Sequence, residues 1–356
     1  MKTRAEKIIE LAKLGLNEAI YLTKPSNIFY VSCYGGEGAA LIGHGFCAIV
    51  TDFRYTEQVT REAPAFDVLE IRTGQRHAAL AKEYLSDHGI NTVRFEADDV
   101  TVADFEKMKS DMDGISLVPL NGETEQVRRV KEPSELALIR EACDISCKAL
   151  DHILPMIKEG ISETDIRIAL EFEMLRLGAD GLAFNTIVAS GENGSLCHAV
   201  PGPRKLRKGD FITMDFGAKK GGYCADMTRT VALGDPGEEL RRIYGIVLKA
   251  QQESQDALHA GLIASSVDAI ARDIIKDAGY GSYFGHGLGH SVGIDIHENP
   301  RLSPTCNDIL TENTTMTVEP GIYVPGIGGV RIENTCVIGA DASETLVYFT
   351  KDLLIL

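Results

Sequence analysis

Between residues 17 and 120 short apolar, β-rich runs alternate with amphipathic stretches. Ala19-Ile20-Tyr21-Leu22 and Phe46-Cys47-Ala48-Ile49-Val50 read as strands, and residues 78–88 as a helix. That rhythm predicts a small α/β domain. It breaks at Pro119-Leu120-Asn121-Gly122, after which a charged run, Arg128-Arg129-Val130-Lys131-Glu132-Pro133-Ser134, leads into a new pattern. The predicted domains are residues 1–122 and 123–356. A long helix is expected over residues 134–157, because Leu136, Ile139, Ala142, Cys143, Ser146 and Leu150 form one stripe. A second follows Ser162: Ser162-Glu163-Thr164-Asp165 offers an N-cap and an acidic first turn, and Gly178 a C-cap. Strands are expected beyond Thr186, then a helix over 238–258, another after Ser266, and further strands. No repeat interrupts the pattern.

Length agrees with two domains, since 356 residues exceed one ordinary core. Hydrophobic residues make up 44% and charged residues 25%, with no apolar run long enough to cross a bilayer. The N-terminal run MKTRAEKIIELAKLGLNEA builds no apolar stretch of the kind that precedes a secretory cleavage site. Eight cysteines are scattered without a CxxC pair, which suits reduced thiols and predicts a cytoplasmic protein. A formal net charge of −16 repels phosphate backbones and anionic lipid, so neither nucleic acid nor a membrane surface is an expected partner.

Three clusters carry candidate chemistry. The first, Met214-Asp215-Phe216-Gly217 through Ala225-Asp226-Met227-Thr228, reads as a hairpin around Lys219-Lys220-Gly221-Gly222. Counting from the centre of that turn sets Asp215 opposite Asp226, a carboxylate pair about 5 Å apart at Cβ. Like charges that close need a cation or a shared proton. The second cluster is Phe284-Gly285-His286-Gly287-Leu288-Gly289-His290, continuing to His297-Glu298. Its glycines argue against the helical His-x3-His of zinc peptidases and for a loop that brings imidazoles close to backbone. In the third, Thr317-Val318-Glu319-Pro320 and Arg331-Ile332-Glu333-Asn334, two glutamates fall inside strand-like runs, where glutamate is depleted unless it is bonded. Four carboxylates and an imidazole, without thiolate, suit Mn, Co, Fe or Zn in a two-metal site.

In this order the clusters resemble those of the pita-bread metallopeptidases: methionine aminopeptidase, aminopeptidase P and prolidase. The resemblance spans nearly the whole chain. It implies a creatinase-type α/β N-terminal domain followed by an α+β pita-bread catalytic domain, with Asp215, Asp226, His290, Glu319 and Glu333 as metal ligands. It further implies two divalent cations, Mn2+ or Co2+ with Zn2+ or Fe2+ as alternatives, holding a water between them. Asp226 and Glu333 would bridge the cations, and Glu319 would also shuttle the proton of that water. His198 and His297 would contact substrate, His286 would be a further catalytic histidine of the cleft, and Arg331 would orient the carboxylates. The His286-to-His290 spacing and the N-terminal domain favour the proline-directed branch, with an Xaa-Pro peptide as substrate. Arg301 would anchor a substrate carboxylate, and relatives with this N-terminal domain imply a homodimer. Two rival readings use the same fold: a creatinase-like C–N hydrolase without metal, and a binding module without activity. Both branches lose ligands that are all present here.

Overall fold

A computed structural model describes residues 2–356. The chain divides into two compact units, one ending at Arg128 and the other spanning Arg129–Leu356. The short helix Glu123–Arg129 therefore packs mostly with the first unit, beyond the break at Gly122. Within that unit Lys24 Nζ donates to Glu125 at 2.7 Å and Arg128 Nη1 to Asn27 Oδ1 at 2.7 Å.

The first unit is built on a six-stranded sheet in the order Asp67–Glu70, Phe46–Thr51, Ala39–Gly43, Glu18–Leu22, Thr92–Glu96, Ser116–Leu120. The three central strands Phe46–Thr51, Ala39–Gly43 and Glu18–Leu22 pair antiparallel, and the outer pairings are parallel. Ala39–Gly43 is buried throughout, as expected of a strand covered on both faces. Alternate residues Ala19, Tyr21, Leu41 and Val50 join Ala81 and Leu85 of the helix His77–Asp87 in one core.

The second unit opens with the helix Pro133–Ile153, whose stripe Ile139, Ala142, Cys143, Ser146 and Leu150 is buried. The α-helix stops short of residue 157, because Pro155 has no N–H to give to the helical ladder; a 3-10 turn, Leu154–Met156, follows. The next helix, Glu163–Arg176, is capped reciprocally: Ser162 Oγ accepts from Asp165 N at 3.1 Å, and Asp165 Oδ2 accepts from Ser162 N at 3.0 Å. A cap of this kind is worth about 1 kcal/mol. Helices Gly237–Asp256 and Ala264–Asp277 bury Ile243, Val247, Val267 and Ala271 against Met316, Val318, Ile322 and Val330 of the strands. Each of the valines, isoleucines and the methionine among them contributes about 1.5–3 kcal/mol by leaving water. Those strands belong to a five-stranded antiparallel sheet and a two-stranded ribbon, Gly321–Val324 with Gly328–Arg331. A further three-stranded sheet pairs Ile187–Ser190, Phe211–Phe216 and Met227–Ala232.

Candidate metal centre and cleft

The hairpin departs from the expected register. Lys220 pairs with Tyr223, so Gly221 and Gly222 make the turn, with φ of 54° and 84°. A two-residue hairpin turn of this hand needs positive φ at both positions, and Gly-Gly is the dipeptide in the run that supplies it without strain. Asp215 consequently faces Thr228, not Asp226. The slip is two residues, however, and the side-chain period is also two, so Asp226 stays on the face of Asp215. A second departure concerns the glutamates. Glu319 lies just past the strand Thr315–Val318, and Glu333 lies between Gly328–Arg331 and Asn334–Ile338. Both are at strand ends, where the ladder releases the backbone and the side chain turns inward. His290 sits on a three-residue strand, Gly289–Ser291, within the glycine-rich run.

Asp215, Asp226 and Glu333 each offer a carboxylate oxygen, and the three atoms lie within 4.8 Å of one another. Glu333 is 1% exposed and Asp226 5%. Thr228 Oγ donates to Glu333 Oε2 at 2.7 Å, and Arg331 Nη2 donates to Asp215 Oδ2 at 2.5 Å. Among the described residues Asp215 Oδ1 and Glu333 Oε1 are buried without a hydrogen-bond partner. Orphaned buried carboxylate oxygens are costly unless a cation meets them.

His290 completes the arrangement. Its Nδ1 lies 3.1 Å from the Ser291 carbonyl, which can only accept, so Nδ1 carries the proton. Nε2 then faces Glu319 Oε1 at 3.3 Å and Asp226 Oδ2 at 3.6 Å. A lone pair aimed at two carboxylates requires a cation or a proton. Tying the far ring nitrogen to a backbone carbonyl is also how ligating imidazoles are oriented. The donor set therefore fits a divalent cation bound by oxygen and imidazole.

Electrostatics agree. Burial, and after it the charges of Glu333 and Asp215, push the Asp226 carboxyl well above its ordinary range; burial followed by Glu319 and Asp215 does the same to Glu333. Burial also raises Glu319, but a hydrogen bond from His290 and its charge outweigh this and hold Glu319 at about 2. The metal-free cluster thus favours the protonated forms of Asp226 and Glu333, and a cation competes with those protons. Titrating Mn2+ into chelated protein should release protons, with affinity rising as pH rises. Calorimetry in buffers of different ionisation enthalpy reads this directly; a heat independent of buffer would contradict it.

A cleft of about 970 Å³ opens onto this cluster, lined by His198, His286, His297, Arg301 and Arg331 as well as by Asp215, Asp226, His290 and Glu319. Glu333 lies behind that wall. His198, His297 and Arg301 are exposed, and the His297 ring stands 4.5 Å from that of His290, edge to face. His286 differs. Its Nδ1 lies 2.8 Å from the Gly287 carbonyl and its Nε2 2.9 Å from Tyr323 Oη, which also accepts from Arg331 Nη1 at 2.8 Å. Arginine only donates, so the tyrosine proton goes to His286. Both ring nitrogens are thus bonded to protein groups, which ties His286 to Tyr323 and through it to Arg331.

Several residues with a part here escaped the sequence reading. Thr317 Oγ donates to Glu319 Oε1 at 3.1 Å and accepts from His290 N at 3.0 Å, as Thr228 serves Glu333. The signal was present for Thr317, since Thr317-Val-Glu319 is spaced by two, which puts the threonine on its carboxylate's face; Thr228 meets a carboxylate distant in sequence, and no local spacing announces it. Glu163, 1% exposed, accepts from Ser190 N at 2.8 Å, Asn193 Nδ2 at 3.1 Å and Gly202 N at 3.1 Å, gripping both ends of the loop that carries His198. That loop rests on the strand Gly328–Arg331 at two glycines: a Cβ on Gly329 would lie 2.1 Å from Gly194 O, and one on Gly194 2.9 Å from Gly329 N.

Fold and site together define a two-domain metallopeptidase with a pita-bread catalytic unit. The chain belongs to Metallopeptidase family M24, which it matches over residues 137–340, and it carries a Creatinase/Prolidase N-terminal domain over residues 4–130. The family's chemistry depends on divalent metal. Relatives include an uncharacterised peptidase of Bacillus subtilis, 38% identical over 99% of this chain and 100% of the relative. A Pyrococcus furiosus Xaa-Pro dipeptidase is 32% identical, again over 99% and 100%. Among solved structures, an Xaa-Pro dipeptidase from Bacillus anthracis superposes with a TM-score of 0.95 at 37% identity, covering 99% of both chains. An X-Pro aminopeptidase from Thermotoga maritima gives 0.91 at 33% identity, covering 99% of this chain and 100% of that one.

Proposed function

We propose that the protein is an Xaa-Pro exopeptidase that uses two divalent cations, Mn2+ or Co2+ first among the candidates, held by Asp215, Asp226, His290, Glu319 and Glu333. The observation that carries this reading is the convergence of Asp215, Asp226 and Glu333 on one buried point, with His290 Nε2 turned toward Asp226 and Glu319. Bound there, two cations supply Lewis acidity and a nucleophilic water at neutral pH. The chain's own groups do the rest. Glu319, ionised at neutral pH, takes a proton from the attacking water and passes it to the leaving proline nitrogen. His297 and His198, exposed to the cleft, donate to the oxyanion that develops on the scissile carbonyl. Arg301, also lining the cleft, pairs with a substrate carboxylate. Arg331 holds Asp215 in place while Thr228 and Thr317 fix the two glutamates.

Proline specificity is supported by relatives named as Xaa-Pro dipeptidases and by a structural neighbour named as an X-Pro aminopeptidase. Mn- or Co-loaded enzyme given a ladder from an Xaa-Pro dipeptide to longer Xaa-Pro peptides, read by mass, tests it. Release of the N-terminal residue is expected, and the same peptides with alanine in place of proline should survive. If no Xaa-Pro bond is cut, or alanine peptides are cut equally well, the reading fails. A cytoplasmic location is supported by eight unpaired cysteines, and no helix among the described residues is long and apolar enough to cross a membrane. The homodimer is what the family resemblance implies, and sedimentation decides it.

A further inference from the structure

Lys131 belongs to the charged run that leads into the helix Pro133–Ile153, yet it is 3% exposed. Its ammonium has three protons, and three acceptors surround it: Glu298 Oε2 at 3.0 Å, Ser291 Oγ at 3.1 Å and the Arg129 carbonyl at 3.4 Å. Its own backbone N–H is fixed to the Asn313 carbonyl at 2.9 Å. Ser291 is fully buried, and the Glu298 side chain is 9% exposed. A buried lysine placed this way is expensive unless its partners are themselves held, so the arrangement fixes the geometry of all of them.

The two side-chain partners are not arbitrary. Ser291 directly follows His290, and Glu298 directly follows His297. The two residues pair across the strands Gly289–Ser291 and Glu298–Leu302, at a point where the register shifts between His290 and Ser291. A register shift loosens the backbone ladder, so side-chain bonds must do more to fix the local orientation. The loop between the two partners folds over the Glu298 carboxylate. Asp295 N donates to its Oε1 at 3.2 Å, and a Cβ on Gly293 would lie 2.5 Å from it. One ammonium thus joins the ends of the segment whose imidazoles stand 4.5 Å apart at the cleft.

We infer that Lys131 is a positioning residue for the metal centre and the substrate site: it staples Ser291 to Glu298 and so sets the angle between His290 and His297. The inference rests on the proposed reading of His290 as a ligand and His297 as a substrate contact. Lys131 touches neither substrate nor metal. Its loss lets the two imidazoles turn relative to each other, which changes the ligand field at His290 and weakens turnover more than substrate binding.

The test uses cobalt-loaded enzyme with the visible absorption of Co2+ as a readout independent of activity. Lys131→Met should shift that spectrum and lower kcat by about 10- to 100-fold, the range for partners that orient metal ligands, with KM changed far less. Lys131→Met with Glu298→Gln removes both charges, so any folding defect from a stranded carboxylate is relieved. This pair should recover the melting temperature but neither the spectrum nor kcat. Recovery of spectrum and kcat in the double variant would overturn the inference, as would an unshifted spectrum in either variant. His290→Ala run in parallel separates the two layers. If it leaves the cobalt spectrum unchanged, the ligand reading itself is wrong; if it alters the spectrum while both Lys131 variants do not, only the positioning role falls.

Discussion

Glu333→Gln abolishes turnover and empties the metal centre while leaving the chelated protein at least as stable as before: this is the expected result with the largest effect. Arg331 Nε donates to Thr228 Oγ at 3.1 Å, so the threonine's own proton goes to Glu333 Oε2. An amide in that place must give its carbonyl oxygen to Thr228 and therefore presents its NH2 where Oε1 stood, toward the cations. The loss should exceed the roughly 10- to 100-fold typical of removing an outer partner. Asp226→Asn should behave alike. Stability has the opposite sign. Glu333 and Asp226 have folded pKa values raised by burial and by neighbouring carboxylates, so ionising them weakens the metal-free fold as pH rises through and above their ordinary range. A neutral isostere removes that penalty. Elemental analysis of the purified variants and melting in chelator check both halves; wild-type activity with full metal, or a marked fall in chelated melting temperature, would refute the account.

The histidine variants should divide into two kinds. His290→Ala removes the imidazole whose Nε2 faces Glu319 and Asp226, and both metal affinity and rate should fall together. His297→Ala should keep its metal and lose mainly kcat, by about 10²- to 10³-fold, as when one donor to a developing oxyanion is removed. Metal loss in the second, or full retention in the first, would reverse the assignment.

How far the sequence carries can be read at particular residues. Ser162 and Asp165 announce a helix start because capping is local chemistry, and the structure has that cap. The α/β alternation and the candidate carboxylates were legible for a similar reason: period and residue type are properties of short stretches. The hairpin register was not, since it depends on which dipeptide accepts two positive φ values, and Lys220-Gly221 competes with Gly221-Gly222 on paper. Asp215 and Asp226 share a face despite that error only because a two-residue slip preserves it. Glu319 and Glu333 looked like strand interiors because strand ends carry no composition of their own. Least visible was Lys131. A lysine in a charged run reads as solvent-facing, and its burial follows from partners some 160 residues away that no local pattern encodes.

The contact between Gly194 and Gly329 bears on how this chain tolerates inherited variation. Every missense change at a glycine codon adds a Cβ, and here an added Cβ meets backbone at 2.9 Å on one side and 2.1 Å on the other. Backbone cannot rotate away as a long side chain can, so the loop bearing His198 has to lift off the strand Gly328–Arg331. Neither glycine touches substrate. In a library of random single-codon variants, both positions should nevertheless be nearly as depleted among active clones as the ligand positions themselves.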